Sequence, residues 1–120
     1  MTVIYHIAEG EAWDAAQAEG AYMADSLATD GFIHCSTPAQ VLDVAESFYR
    51  GRKGLVLLTI DTSRVQAEIR YENLEGEAEL YPHLYGSLNL DAVVSAVPFE
   101  PDAEGRFELP APAQAPPDRH

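Results

Sequence analysis

Cysteine is nearly absent from the 120-residue chain: Cys35 stands alone, so no internal disulfide can form, which suits a reducing compartment. Long apolar runs are missing too, and none approaches the roughly 18 to 20 residues that a membrane span requires. The first residues, MTVIYHIAEGEAW, lack the basic stretch and small-residue cleavage site of a secretory signal. A cytoplasmic location is therefore the expectation, with no membrane partner. Cations are scarce: seven Lys and Arg face twenty Asp and Glu, a formal net charge of -13. Such a surface repels phosphate backbones within a Debye length, about 8 Å at physiological salt, which argues against nucleic acid as a general partner. No HxH, HExxH or CxxC pair supplies two metal ligands from one element, so no metal ligand is assigned. A phosphate-binding glycine loop, a nucleophile elbow and internal repeats are likewise lacking.

What is present is 47% hydrophobic content on a length suited to one core. The expected domain covers residues 1–109, followed by a tail at 110–120. Val3 to Ala8 is β-prone, and EAWDAAQAEG after it reads as a helix with a glycine stop. Thr37-Pro38-Ala39-Gln40 offers a capping threonine, a proline at the first helical position and a glutamine at the third. Val41, Val44, Ala45 and Phe48 follow at helical spacing, so a second helix is expected from about 38 to 50. Leu55 to Ile60 is a continuous apolar run that suits a strand covered on both faces, the centre of a sheet. Ala67, Ile69 and Tyr71 alternate with charged residues as in a half-buried strand, 73–77 reads as a turn, ELYPHLYG as a short strand running into a loop, and Val93 to Phe99 as a last strand. The class is α+β, two helices early and strands later.

Chemistry concentrates in GFIHCSTPAQV, Gly31 to Val41. Strand alternation puts Phe32, His34 and Ser36 on one side and Ile33 and Cys35 on the other. Cys35 then faces the core, whereas His34 and Ser36 sit at a strand end just before a helix. His34 is a candidate acid or base, or else a satisfied structural histidine. His83 lies between Tyr81 and Tyr85 in a segment shaped by proline and glycine, which reads as a pocket wall or as cover for a sheet edge. His6, on the first strand, and Glu72, at a strand end, each carry an ordinary structural or solvated reading beside a functional one. Trp13 and Tyr22 are core or pocket wall. Arg50, Arg52 and Lys53 cluster where a helix C-terminus favours cations.

YHI at the start, GFIHCS, FY, LLTID and PHLYGSLNLDAVV resemble, over residues 1 to about 100, a bacterial family catalogued as domain of unknown function 952. That resemblance implies a fold similar to the ADP-ribosyltransferases, with two small sheets clasping NAD in a cleft. It implies that His6, within Tyr5-His6-Ile7, holds the nicotinamide ribose; Tyr85 and Tyr49 are the candidates for an aromatic that stacks on nicotinamide, and no glutamate stands at a clear equivalent of the late catalytic one, for which Glu72 and Glu79 are candidates. The related RNA 2′-phosphotransferases grip phosphates with arginines, and the histidine motifs of this chain contain none.

The expectation is thus a compact α+β domain of ADP-ribosyltransferase-like type, two small sheets around a cleft with two early helices. His34 and His83 are the expected catalytic residues; His6, Ser36, Tyr85 and Glu72 are the expected ligand contacts, on NAD, an ADP-ribose-like molecule or another small nucleotide. The three histidines should share one pocket, each with a free ring nitrogen. A non-enzymatic protein-interaction module is the alternative, and a metal-dependent hydrolase the third reading. Pro110, Pro112, Pro116 and Pro117 leave the tail too little apolar surface to pack. Deleting residues 111–120 is expected to leave the melting temperature within experimental error; a drop of several degrees would show that the tail packs.

Overall fold

The structure, a computed structural model, describes residues 2–73 and 79–110. In chain order the strands are β1 (Val3–Glu9), β2 (Ala21–Tyr22), β3 (Ile33–His34), β4 (Leu55–Asp61), β5 (Glu68–Glu72), β6 (Tyr81–Tyr85), β7 (Leu88–Asn89) and β8 (Val93–Phe99). The helices are α1 (Gly10–Glu19), α2 (Asp25–Thr29) and α3 (Val41–Phe48). Most of the tail expected at 110–120, and residues 74–77 of the expected turn, lie outside the described residues.

The strands form three antiparallel sheets, ordered β1-β4-β8, β2-β7 and β3-β6-β5. Two sheets and two helices were expected. The additions are β2-β7, two residues on each strand, and α2, five residues long, both too short to show a period. α3 starts three residues later than expected, because Thr37 to Gln40 closes a turn in which the Gln40 and Val41 N–H groups both donate to the Thr37 carbonyl. Half of the capping box survives: Gln40 Oε1 accepts from the Thr37 N–H at 3.0 Å. The Gln40 amide also donates to the Leu80 carbonyl at 2.7 Å and to Glu79 at 3.0 Å, which ties α3 to the approach to β6.

β4 is the central strand, as its unbroken apolar run implied, and it separates two cores. Leu58 and Ile60 pack with Ile4, Ile33, Leu84 and Leu88 on one face. Leu55 and Leu57 pack with Tyr5, Ile7, Val41 and Phe99 on the other. Burying each such side chain contributes about 1.5–3 kcal/mol, so this strand anchors the domain. Ile33 and Cys35 belong to the first core and His34 is exposed, the alternation expected for that strand.

Among the described residues the backbones of the first and third sheets pair at a single rung. The Tyr5 N–H donates to the Ser36 carbonyl at 2.7 Å, and the Ser36 N–H returns to the Tyr5 carbonyl at 2.8 Å. Beside this rung, His6 Nδ1–H donates to the His34 carbonyl at 2.6 Å. A carbonyl only accepts, so Nδ1 carries the proton and Nε2 accepts from the Tyr22 hydroxyl, 2.8 Å away. His6 thus joins β1, β2 and β3. The free ring nitrogen expected at His6 is not there, because at 7% exposure both nitrogens must find partners inside the fold.

Burial lowers the His6 pKa to about 4, against a favourable contribution from the His34 carbonyl. An unfolded chain takes up a proton at His6 as pH falls through 6.5, whereas the folded chain refuses it until about 4. This part of the stability is present above 6.5 and is lost as pH drops toward 4, on the order of 3 kcal/mol in total. Chemical denaturation between pH 8 and 4 is expected to show this slope, and His6→Gln should flatten it between 6.5 and 5. An unchanged slope in the variant would place the titration elsewhere.

Candidate functional site

On β6 the alternation of a strand sends Pro82 and Leu84 to one face and Tyr81, His83 and Tyr85 to the other. Leu84 is in the core with Ile33 and Ile69, so the histidine face is turned away from it. β3 pairs with β6 such that His34 lies directly opposite His83. β5, on the other flank, brings Arg70 opposite His83 and Glu72 opposite Tyr81. ELYPHLYG is thus the expected short strand, which runs from Tyr81 to Tyr85, and its regularity brings the two imidazoles onto one rung.

Each imidazole is held by a carboxylate. His83 Nδ1 lies 2.9 Å from Glu72 Oε1, the oxygen that also accepts from the Tyr85 hydroxyl at 2.6 Å. The Tyr85 and His83 hydrogen bonds hold the Glu72 carboxyl below its usual range, so it is charged and orients the histidine. His34 Nε2 lies 3.1 Å from Asp30 Oδ2. The His34 and His83 ring centres are 5.4 Å apart in an edge-on arrangement, and Phe32 stacks on His83 at 4.1 Å. Neither His34 Nδ1 nor His83 Nε2 has a hydrogen-bond partner among the described residues. With the carboxylate-facing nitrogens protonated, both free nitrogens carry lone pairs and can accept or return a proton.

Both histidines line a cleft of about 520 Å³, a size suited to a small-molecule ligand. Its walls also include His6, Ser36, Glu72, Tyr22, Tyr49 and Arg52. All three histidines therefore line the cleft, and of them His34 and His83 each keep one ring nitrogen without a hydrogen-bond partner among the described residues. The Ser36 hydroxyl has no partner among the described residues, while its backbone makes the rung between sheets.

Tyr85 does not line the cleft as expected of a stacking residue. The Arg70 guanidinium covers its ring at 4.4 Å, held in turn by two bonds to Glu68, and its hydroxyl is committed to Glu72. Tyr85 positions Glu72 instead. Glu79, the other glutamate considered, accepts from Gln40 and lies outside the cleft. Burial pushes the Cys35 thiol pKa up, so this cysteine carries no thiolate. Among the described residues no group of three or more His, Cys, Asp or Glu side chains is placed to hold a metal ion.

Asp30 and the stacking of Phe32 on His83 escaped the sequence reading. A faint signal for Asp30 existed in Asp30-Gly31: Gly31 has φ of +87°, and the turn it permits brings Asp30 back toward His34 four residues on. The cleft role of Arg52 had no signal, since the three neighbouring cations look alike in sequence.

Among the described residues no helix is long and apolar enough to cross a membrane. A search of curated proteins returned no match. The chain is similar to protein CC0527 from Caulobacter crescentus, at 33% identity to its crystal structure, covering 90% of this chain and 95% of that one with a TM-score of 0.81. Against the solution NMR structure of CC0527 the identity is 34%, the coverage 91% and 94%, and the TM-score 0.78. The family model described as protein of unknown function (DUF952) matches residues 7–96, and the chain belongs to that family.

Proposed function

We propose that the cleft binds a small ligand of the nucleotide class, NAD or an ADP-ribose-like molecule, and that His34 and His83 perform acid–base chemistry on it. The observation that carries this reading is the pair of imidazoles on one rung, each bonded to a carboxylate through one nitrogen and open through the other. A histidine so oriented presents a defined tautomer, and a pair of them can take a proton from one atom of a ligand and deliver one to another. The Ser36 hydroxyl beside them is a hydrogen-bond partner for a ribose or amide, and Tyr49 offers an aromatic surface. Two sheets joined at one rung with the cleft beside it support an ADP-ribosyltransferase-like arrangement, in which a ligand lies between sheets.

A protein partner is the second reading, favoured by Phe48, which lines the cleft and yet is 68% exposed. The two readings separate in a thermal-shift screen over NAD, ADP-ribose and other nucleotides, repeated with divalent metals. A ligand at a hundred times its Kd adds about 2.7 kcal/mol, a shift of several degrees for a domain of this size. Alanine at His34 or His83 is expected to leave the fold intact and to lower turnover of the compound found by about 10²-fold or more. Glu72→Gln should lower it less and displace its pH profile. The nucleotide reading fails if no compound shifts the melting temperature, or if both alanine variants keep full binding and turnover.

A further inference from the structure

Three neighbouring cations, Arg50, Arg52 and Lys53, end the α3 region, and the structure gives them different surroundings. The Arg50 guanidinium reaches the Glu104 carbonyl at 3.4 Å, away from the cleft. Arg52 turns into the cleft, and it is the one Lys or Arg among the described residues that line it. We propose that Arg52 is the anchor for a phosphate group of the cleft's ligand and so determines which ligands the cleft prefers. The proposal rests on the nucleotide reading of the same cleft and adds to it the residue that recognises the anion.

The guanidinium is placed before any ligand arrives. Gly51, with φ of +76°, turns the chain after α3, and the Arg52 N–H donates to the Tyr49 carbonyl at 2.8 Å. The guanidinium carbon then lies 5.4 Å from the centre of the Tyr49 ring. One terminal nitrogen, Nη2, donates to Glu9 Oε2 at 2.8 Å. Nε and Nη1 have no partner among the described residues, which leaves donors in the planar fork that matches phosphate oxygens.

A structural role accounts poorly for this placement. The two segments that the Arg52–Glu9 pair would join are already tied by the Gly10 N–H, which donates to the Gly54 carbonyl at 2.8 Å. The Arg52 and Glu9 side chains are 48% and 63% exposed, and ion pairs that open to water contribute little to stability. The signs of charge in the cleft also orient a ligand. Glu9, Asp25 and Glu72 line it with Arg52, so a phosphate finds one favourable position, and the uncharged remainder of the ligand is left for the histidines beside Glu72. In a chain of net charge -13 an anion gains nothing from the overall field, which makes the local guanidinium decisive. Glu9 competes with the phosphate for Arg52.

The test uses two probe pairs that differ only in a phosphate, AMP with adenosine and nicotinamide mononucleotide with nicotinamide riboside, measured by calorimetry at low salt on the full chain. The phosphorylated member of a pair is expected to bind about tenfold tighter, the scale of one charge-assisted contact. Arg52→Gln should remove that preference without changing nucleoside affinity, Arg52→Lys should restore part of it, and Glu9→Gln should enlarge it. Unchanged melting temperatures in the variants keep the comparison to binding. A phosphate preference that survives Arg52→Gln, or nucleosides bound as tightly as nucleotides, overturns the anchor and leaves the nucleotide reading standing. Failure of all four probes to bind the unaltered protein overturns both.

Discussion

The imidazole of His6, buried and neutral, is the contact on which the arrangement of the cleft depends. It donates to the carbonyl of His34 and accepts from the hydroxyl of Tyr22, so one ring fixes the backbone of the candidate acid–base residue relative to the first strand and to β2. A charged imidazole could donate but could not accept from Tyr22, and burial holds the ring in the form that does both. Next to it, the rung between Tyr5 and Ser36 is the sole backbone pairing between the first and third sheets among the described residues. His6, beside this contact, and Ser36, within it, both line the cleft.

Carboxylates then decide what the cleft's histidines can do. A chain this acidic has many, and two of them, Asp30 and Glu72, are used to orient ring nitrogens. Glu72 is itself kept charged by Tyr85, whose ring lies under Arg70, whose guanidinium is held by Glu68. The chain of contacts from Glu68 to His83 crosses β5 and β6 on one face and ends at a nitrogen without a partner. Such serial support favours a single rotamer of His83, and the ring of Phe32 stacked against it limits rotation further.

β4 allows this concentration of polar groups at one seam, because the stability is supplied elsewhere. Its two faces serve two apolar clusters, and the sheet around it is regular apart from a shift of register between Thr59 and Ile60. Thr59 is also where the interior is least satisfied: its hydroxyl is buried with no hydrogen-bond partner among the described residues. The cost of that group falls on the central strand, opposite Tyr5 of β1.

Periodicity was enough to read the elements that bury a large face. The unbroken run Leu55 to Ile60 declared a central strand, and the alternation through Phe32 to Cys35 declared that Ile33 and Cys35 pack in the core while His34 is exposed, although Cys35 also lines the cleft. Family membership was legible in the GFIHCS and PHLYGSLNL motifs. What a period cannot reveal is an element that spans its repeat scarcely more than once, which is why β2, β7 and α2 went unread; α3 begins at Val41 instead of at Pro38 because of the turn that Thr37 to Gln40 closes. Pairing across the chain was equally hidden: nothing local to His6 says that both its nitrogens are taken, or that Tyr85 spends its hydroxyl on Glu72. Those partners lie 28, 16 and 13 residues away, and a hydrogen bond over such separations depends on how sheets meet. Sequence determined which residues are candidates for chemistry and which face of a strand they share; the meeting of three sheets decided which of the histidines retain a free nitrogen.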